Sequence, residues 1–127
     1  MLSHKIISKG IIFTILSVTF LTSCVHVTDL TGIKEVSYKN DVSAVLSANC
    51  NYSGCHGGNG EQFSLTTYDA VISNGGIKAN DARGSQLYRS ITRRWFVQQM
   101  PPKGSTQLSD DDIRIIYVWI QQGAKNN

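Results

Sequence analysis

Charge is scarce in this chain, and it does not gather. Asp, Glu, Lys and Arg make up 17% of the 127 residues, and Lys and Arg form no extended cluster, which excludes a nucleic-acid surface built on a basic stripe. After residue 23, ten Lys and Arg face nine Asp and Glu, so the net charge is too small to steer the chain strongly to an anionic partner. At 41% hydrophobic residues the chain is too apolar to stay disordered. No apolar run approaches the roughly 20 residues of a membrane-spanning helix. No alternating pattern marks a strand, and no repeat or low-complexity tract interrupts Tyr38 to Lys125. What remains is one small, mostly helical domain.

The amino terminus has the form of an export signal. A short basic region ends at Lys9, and an apolar run of about 11 residues follows, from Ile11 to Leu21. The run closes on Leu21-Thr22-Ser23-Cys24, which resembles a bacterial lipobox. That resemblance implies a signal peptide over residues 1–23, cleavage before Cys24 and acylation of Cys24. Residues 24–39 are then a tether and 40–127 the folded domain. Two or more acyl chains give stable anchoring where one gives marginal binding. Val25 stands where an Asp would resemble an inner-membrane retention signal, so the expected location is the outer membrane, facing the periplasm. A plain signal or an uncleaved anchor is the alternative, with Cys24 incidental.

Export places the two other cysteines in an oxidising compartment. They lie in Asn49-Cys50-Asn51-Tyr52-Ser53-Gly54-Cys55-His56-Gly57-Gly58, and the informative feature is Cys55 followed at once by His56. In C-x-x-C-H haem-attachment motifs, two thiols bond the porphyrin and the adjacent His ligates iron. Here the spacing is C-x-x-x-x-C-H. The two extra residues have to loop out between the thioethers, and Ser53-Gly54 supplies permissive backbone for that. Three other readings stand beside this one. A Cys50–Cys55 disulfide leaves His56 without a task. Zinc wants four ligands, and beyond Cys50, Cys55 and His56 only His26 in the tether is left. A redox dithiol favours the C-x-x-C spacing.

A haem held through His56 takes its second axial ligand from Met or His. Met100 lies in Gln98-Gln99-Met100-Pro101-Pro102-Lys103, where two prolines bar a helix and stiffen a loop able to present the thioether. A lone Met is otherwise a filler of core gaps. His26 sits two residues beyond Cys24 and reads as an exposed tether residue.

The scaffold reads as short helices. Val42, Val45 and Leu46 share a face ahead of Cys50, with Asn40 or Asp41 as the expected N-cap. Thr66 to Ser73 forms a second helix, stopped by Gly75-Gly76, and Ser85 to Thr92 a third that buries Leu87 and Ile91. The clearest begins at the cap Ser109, with Asp110, Asp111 and Asp112 loading the positive end of its dipole. Ile113, Ile116, Tyr117 and Ile120 recur on one face, with Trp119 beside them and Gly123 as the stop. Arg83, Arg93, Arg94 and Trp95 are candidates for haem propionates, with solvent-facing charge as the simpler reading.

A leading helix, Cys55-His56, a middle of short helices, Met100-Pro101-Pro102, then Leu108-Ser109-Asp110-Asp111-Asp112-Ile113 and Tyr117-Val118-Trp119-Ile120 together resemble a small class I bacterial cytochrome c over Val42 to Ala124. The stretch from Phe63 to Tyr88 is similar to planctomycete-type cytochrome c domains. The resemblance implies an all-α fold around one covalent haem c, thioethers at Cys50 and Cys55, and axial ligation by His56 and Met100. It further implies a lipid-anchored electron carrier, not an enzyme, that serves redox partner proteins of the envelope and no nucleic acid. The competing functions are a haem sensor or small haem catalyst with an open axial site, and a haem-free lipoprotein with a Cys50–Cys55 disulfide.

Overall fold

The computed structural model describes residues 29–58, 62–94 and 96–127. The signal at 1–23, Cys24, His26 and Trp95 lie outside the described residues.

Among the described residues the chain is helical and has no strand. A π-helical turn, Tyr38–Val42, runs directly into α1, Ser43–Asn49, and is followed by α2, Tyr68–Asn74, α3, Gln86–Ile91, and α4, Asp110–Gln121. The first helical segment starts earlier than its apolar spacing suggests. Ser37, not Asn40 or Asp41, is the cap, because its hydroxyl accepts from Asn40 N while the Asp41 carboxylate reaches back to accept from Ser37 N at 2.8 Å. Asp41 thus caps from inside the helix. The packed chain therefore extends back past residue 40, where the sequence reading began the domain.

In α2 the cap is Thr67, whose hydroxyl accepts from Ala70 N. Ser85 precedes α3 but does not cap it with its side chain. Its buried hydroxyl donates to Asp81 O and accepts from Lys78 N, both at 2.8 Å, and so closes the turn ahead of the helix. In α4 the hydroxyl of Ser109 accepts from Asp112 N and the Asp112 carboxylate accepts from Ser109 N, a reciprocal capping box. Gly123, at φ +99°, ends the helix in a left-handed conformation that favours glycine.

The core gathers where α4 crosses the first helical segment. Ile116, Trp119 and Ile120 are buried against Tyr38, Val42, Val45 and Leu46, and Val71, Leu87 and Ile91 close the cluster from α2 and α3. Tyr38 meets Tyr68 edge to face at 5.1 Å and Trp119 at 5.6 Å, so three aromatic side chains tie three elements together. Two of them are also tied by their polar atoms: Trp119 Nε1 donates to Lys125 O and the Tyr68 hydroxyl to Ala124 O, both at 2.9 Å. Val118 is buried as well, on a face of α4 next to Ile33 and Val36 of the incoming chain.

That incoming chain is fastened to the outgoing one. Gln122 Oε1 accepts from Val36 N and Gln122 Nε2 donates to Lys34 O. Asn127 takes three donors, from Ser37 Oγ, Tyr38 N and Lys39 N, at 2.8 to 2.9 Å. The exposed pair Lys125–Glu35 lies beside this clasp, and solvent leaves such a pair little energy of its own.

Candidate functional site

The end of α1 sets up the cysteine loop. Leu46 O accepts from both Cys50 N, at 2.8 Å, and Asn51 N, at 3.0 Å, which turns the chain out of the helix. Tyr52 O then accepts from Cys55 N and Gly57 N, and Cys50 O accepts from His56 N at 3.2 Å. These bonds coil the segment on itself and bring Cys55-His56 back beside Cys50. Tyr52, Ser53, Gly54 and Cys55 are exposed, with Gly54 at φ +82°, so the extra residues of the lengthened spacing bulge into solvent. Gly57 is required for closure: a Cβ there would lie 2.7 Å from Asn51 O and 2.8 Å from Tyr52 O.

His56 is 7% exposed and held on two sides. Its Nδ1 lies 2.7 Å from Phe63 O. A carbonyl oxygen only accepts, so Nδ1 carries the hydrogen, and in the neutral ring Nε2 keeps its lone pair. The Phe63 ring packs on the imidazole at 4.7 Å, and His56 O accepts from Leu65 N at 3.1 Å. Fixing a ring nitrogen through a main-chain carbonyl is the usual support of a metal-ligating His.

Met100 arrives on a loop pinned at both ends. Its N–H donates to Ser90 O at 3.1 Å, at the end of α3. Gln107 Nε2 donates to Ser105 O at 2.9 Å and lies 3.3 Å and 3.4 Å from the carbonyls of Pro101 and Pro102. The Gln107 Oε1 accepts from Gln99 Nε2 at 3.0 Å. One side chain thus braces the whole Met-Pro-Pro turn.

Cys50, Cys55, His56 and Met100 all line one cavity of about 540 Å³, within the usual size of small-molecule and cofactor pockets. Leu65, Leu87 and Ile91 give it apolar walls, and Asn49, Asn74, Gln86 and Ser90 add polar atoms. Both thiols are free. Burial, with a smaller contribution from the neighbouring Cys55, pushes the Cys50 thiol up to about 11, so at neutral pH it is a protonated thiol and a poor nucleophile. Arg83, Arg93 and Arg94 are exposed and line no part of the cavity.

The donor set is one imidazole nitrogen with a free lone pair, one thioether and two thiols around an apolar hollow. These groups fit a covalently held haem, with its two thioether bonds and its His and Met axial ligands. They do not fit structural zinc, which takes four ligands in a tetrahedron: among the described residues no group of three or more His, Cys, Asp and Glu could hold a metal ion. The sequence reading missed Phe63, Gln99 and Gln107. Phe63 and the prolines act through main-chain carbonyls, which any residue type carries, and nothing in a Gln marks it as a brace.

No family model, no curated protein and no solved structure matches the chain.

Proposed function

We propose that the protein is a monohaem c-type cytochrome of the small class I type, anchored by lipid at Cys24 and carrying electrons in the bacterial cell envelope, at the outer membrane facing the periplasm. The observation that carries this reading is the meeting of Cys50, Cys55, His56 and Met100 on one cavity, with His56 Nε2 left free by the hydrogen bond at Nδ1. Cys50 and Cys55 would hold the group through thioethers, and His56 and Met100 would ligate its iron.

When bound, haem supplies one-electron chemistry between ferric and ferrous iron. The protein's residues do the rest. Phe63 holds the His56 ring in one orientation and one tautomer. Gln107 and the two prolines hold the Met100 turn, and a Met ligand raises the reduction potential. His56 and Met100 would both ligate the iron when the group is bound, which would leave no place on it for a substrate and favours a carrier over a catalyst. The lipobox-like Leu21-Thr22-Ser23-Cys24 supports the anchor.

Expression of the full chain in a host with c-type maturation machinery tests the reading. Haem is expected to stay attached under denaturing conditions, with a low-spin native spectrum that loses its Met signature in Met100→Ala. A colourless chain from a maturation-competent host overturns the proposal and favours the disulfide lipoprotein.

A further inference from the structure

The chain from Phe63 to Leu65 has no regular structure of its own, yet each of its three carbonyls is taken by a different side chain. Phe63 O accepts from His56 Nδ1 at 2.7 Å, Ser64 O from Asn74 Nδ2 at 3.0 Å and Leu65 O from Asn51 Nδ2 at 3.3 Å. Leu65 N completes the set by donating to His56 O at 3.1 Å. Asn74 is the last residue of α2, and Asn51 is one of the four residues between Cys50 and Cys55. The pattern is that of extended chain, in which successive residues face opposite ways: the carbonyls of Phe63 and Leu65 meet the cysteine loop, and that of Ser64 meets the helix.

Asn51 is the informative member of this set. Tyr52, Ser53, Gly54 and Cys55 are exposed, whereas Asn51 is half-buried, and its N–H donates to Leu46 O at 3.0 Å. Its Oδ1 is buried with no hydrogen-bond partner among the described residues. An unpaired buried amide oxygen is destabilising, and a leucine of similar shape would fill the same place without that penalty. Packing therefore does not account for an amide here. Its Nδ2 does, and the group which that donor meets is the carbonyl two residues beyond the one that holds His56. Asn51 lines no part of the cavity, so it acts on the imidazole through the 63–65 segment.

We infer that Asn51 and Asn74 are positioning residues for His56: they pin the two peptide groups that follow Phe63 and so hold Phe63 O on Nδ1. The inference rests on the haem reading above. A carbonyl held close to the Nδ1 proton makes Nε2 the stronger donor, and a stronger donor stabilises ferric over ferrous iron, which lowers the reduction potential. The two asparagines thus oppose the upward pull of a Met100 ligand. No bond forms or breaks, and the proton stays on Nδ1. The lengthened cysteine spacing makes room for this arrangement, because it places Asn51 within reach of Leu65 while Cys55-His56 returns beside Cys50.

In the reduced, diamagnetic holoprotein the proton on His56 Nδ1 is followed by nitrogen-edited NMR, and the midpoint potential is followed by redox titration. Asn51→Leu is expected to keep the low-spin spectrum and the urea midpoint of the parent chain. It is expected to move the Nδ1 proton upfield, to speed its exchange about two- to tenfold, the factor of one net hydrogen bond, and to raise the potential. Asn74→Ala should shift proton and potential in the same direction by less, since Ser64 O meets the helix and not the cysteine loop. Ser73→Ala, which removes a hydrogen bond to Asp69 O elsewhere on α2, leaves both as they were. If Asn51→Leu loses haem, Asn74→Ala, whose side chain is exposed, decides by the same two readouts. Proton and potential unmoved in the asparagine variants, or shifts that Ser73→Ala reproduces, overturn the inference and leave the haem reading intact. Shifts that merely track a lowered urea midpoint mark the asparagines as structural and overturn it as well. A colourless parent chain overturns the haem reading itself, and the inference with it.

Discussion

The His56 imidazole donates through Nδ1 to the main-chain carbonyl of Phe63, 2.7 Å away, and the Phe63 ring lies against it with centroids 4.7 Å apart. One residue therefore fixes the ring both in its plane and on its face. The two contacts are separable, since substitution of Phe63 removes the ring and keeps the carbonyl.

Phe63→Ala is expected to retain the low-spin spectrum and lose about 1 kcal/mol of stability, the scale of an aromatic contact, read from urea unfolding. His56→Ala is expected to abolish that spectrum. Loss of the spectrum in Phe63→Ala as well would show that ring packing, and not the carbonyl, sets the imidazole.

Gln107→Leu removes the brace on the carbonyls of Pro101, Pro102 and Ser105. At about 0.5–1.5 kcal/mol for a net hydrogen bond, with two of the three near the long limit, the expected cost is about 1–2 kcal/mol. A weaker Met–iron charge-transfer band should accompany it. Stability and band both unchanged would assign the rigidity of the turn to the prolines alone.

Burial sets a pH dependence in the chain prepared without haem. The Cys50 thiol is raised to about 11 from an ordinary 9.0, so folding favours its protonated form. That contribution is fully present below pH 9 and is lost as pH rises through about 11. At pH 8 iodoacetamide is expected to modify Cys50 about 100-fold more slowly than it does in the urea-unfolded chain, as the thiolate fraction dictates. Equal rates in the two states would mean that Cys50 is not held buried without its ligand.

Tyr68→Phe deletes the hydroxyl that donates to Ala124 O and keeps the ring against Tyr38. A loss of about 1 kcal/mol is expected, measured by urea unfolding of the holoprotein. Ser109→Ala should cost a similar amount through the capping box of α4.

The sequence made α4 legible because its signals are local: Ser109 and Asp112 stand three apart, and the apolar residues follow the helical period. The same reading put Ile113 and Tyr117 on the buried face, whereas Trp119 and Val118 are more deeply buried, because Trp119 packs on Tyr38 and Tyr68 and the incoming chain covers a second side of the helix at Val118. Asn40 and Asp41 looked like caps from composition, yet Ser37 takes the role because the helix opens with a π turn. The four candidate ligands were legible by residue type. The parts that aim them, Phe63 O, Gln107 and the Ser90 carbonyl under Met100, carry no distinctive chemistry in the sequence and are identified only by where the chain returns on itself.

The clasp between residues 34–39 and 122–127 also orders events in time. Its side-chain contacts span 86 to 91 residues, and contacts so distant along the chain close late, after the entropy of the intervening loop has been overcome. Cys50, Cys55 and His56 emerge from synthesis well before Trp119 and Asn127. During that interval the core against which Cys50 packs lacks Ile116, Trp119 and Ile120. The last residues to arrive then shut the structure.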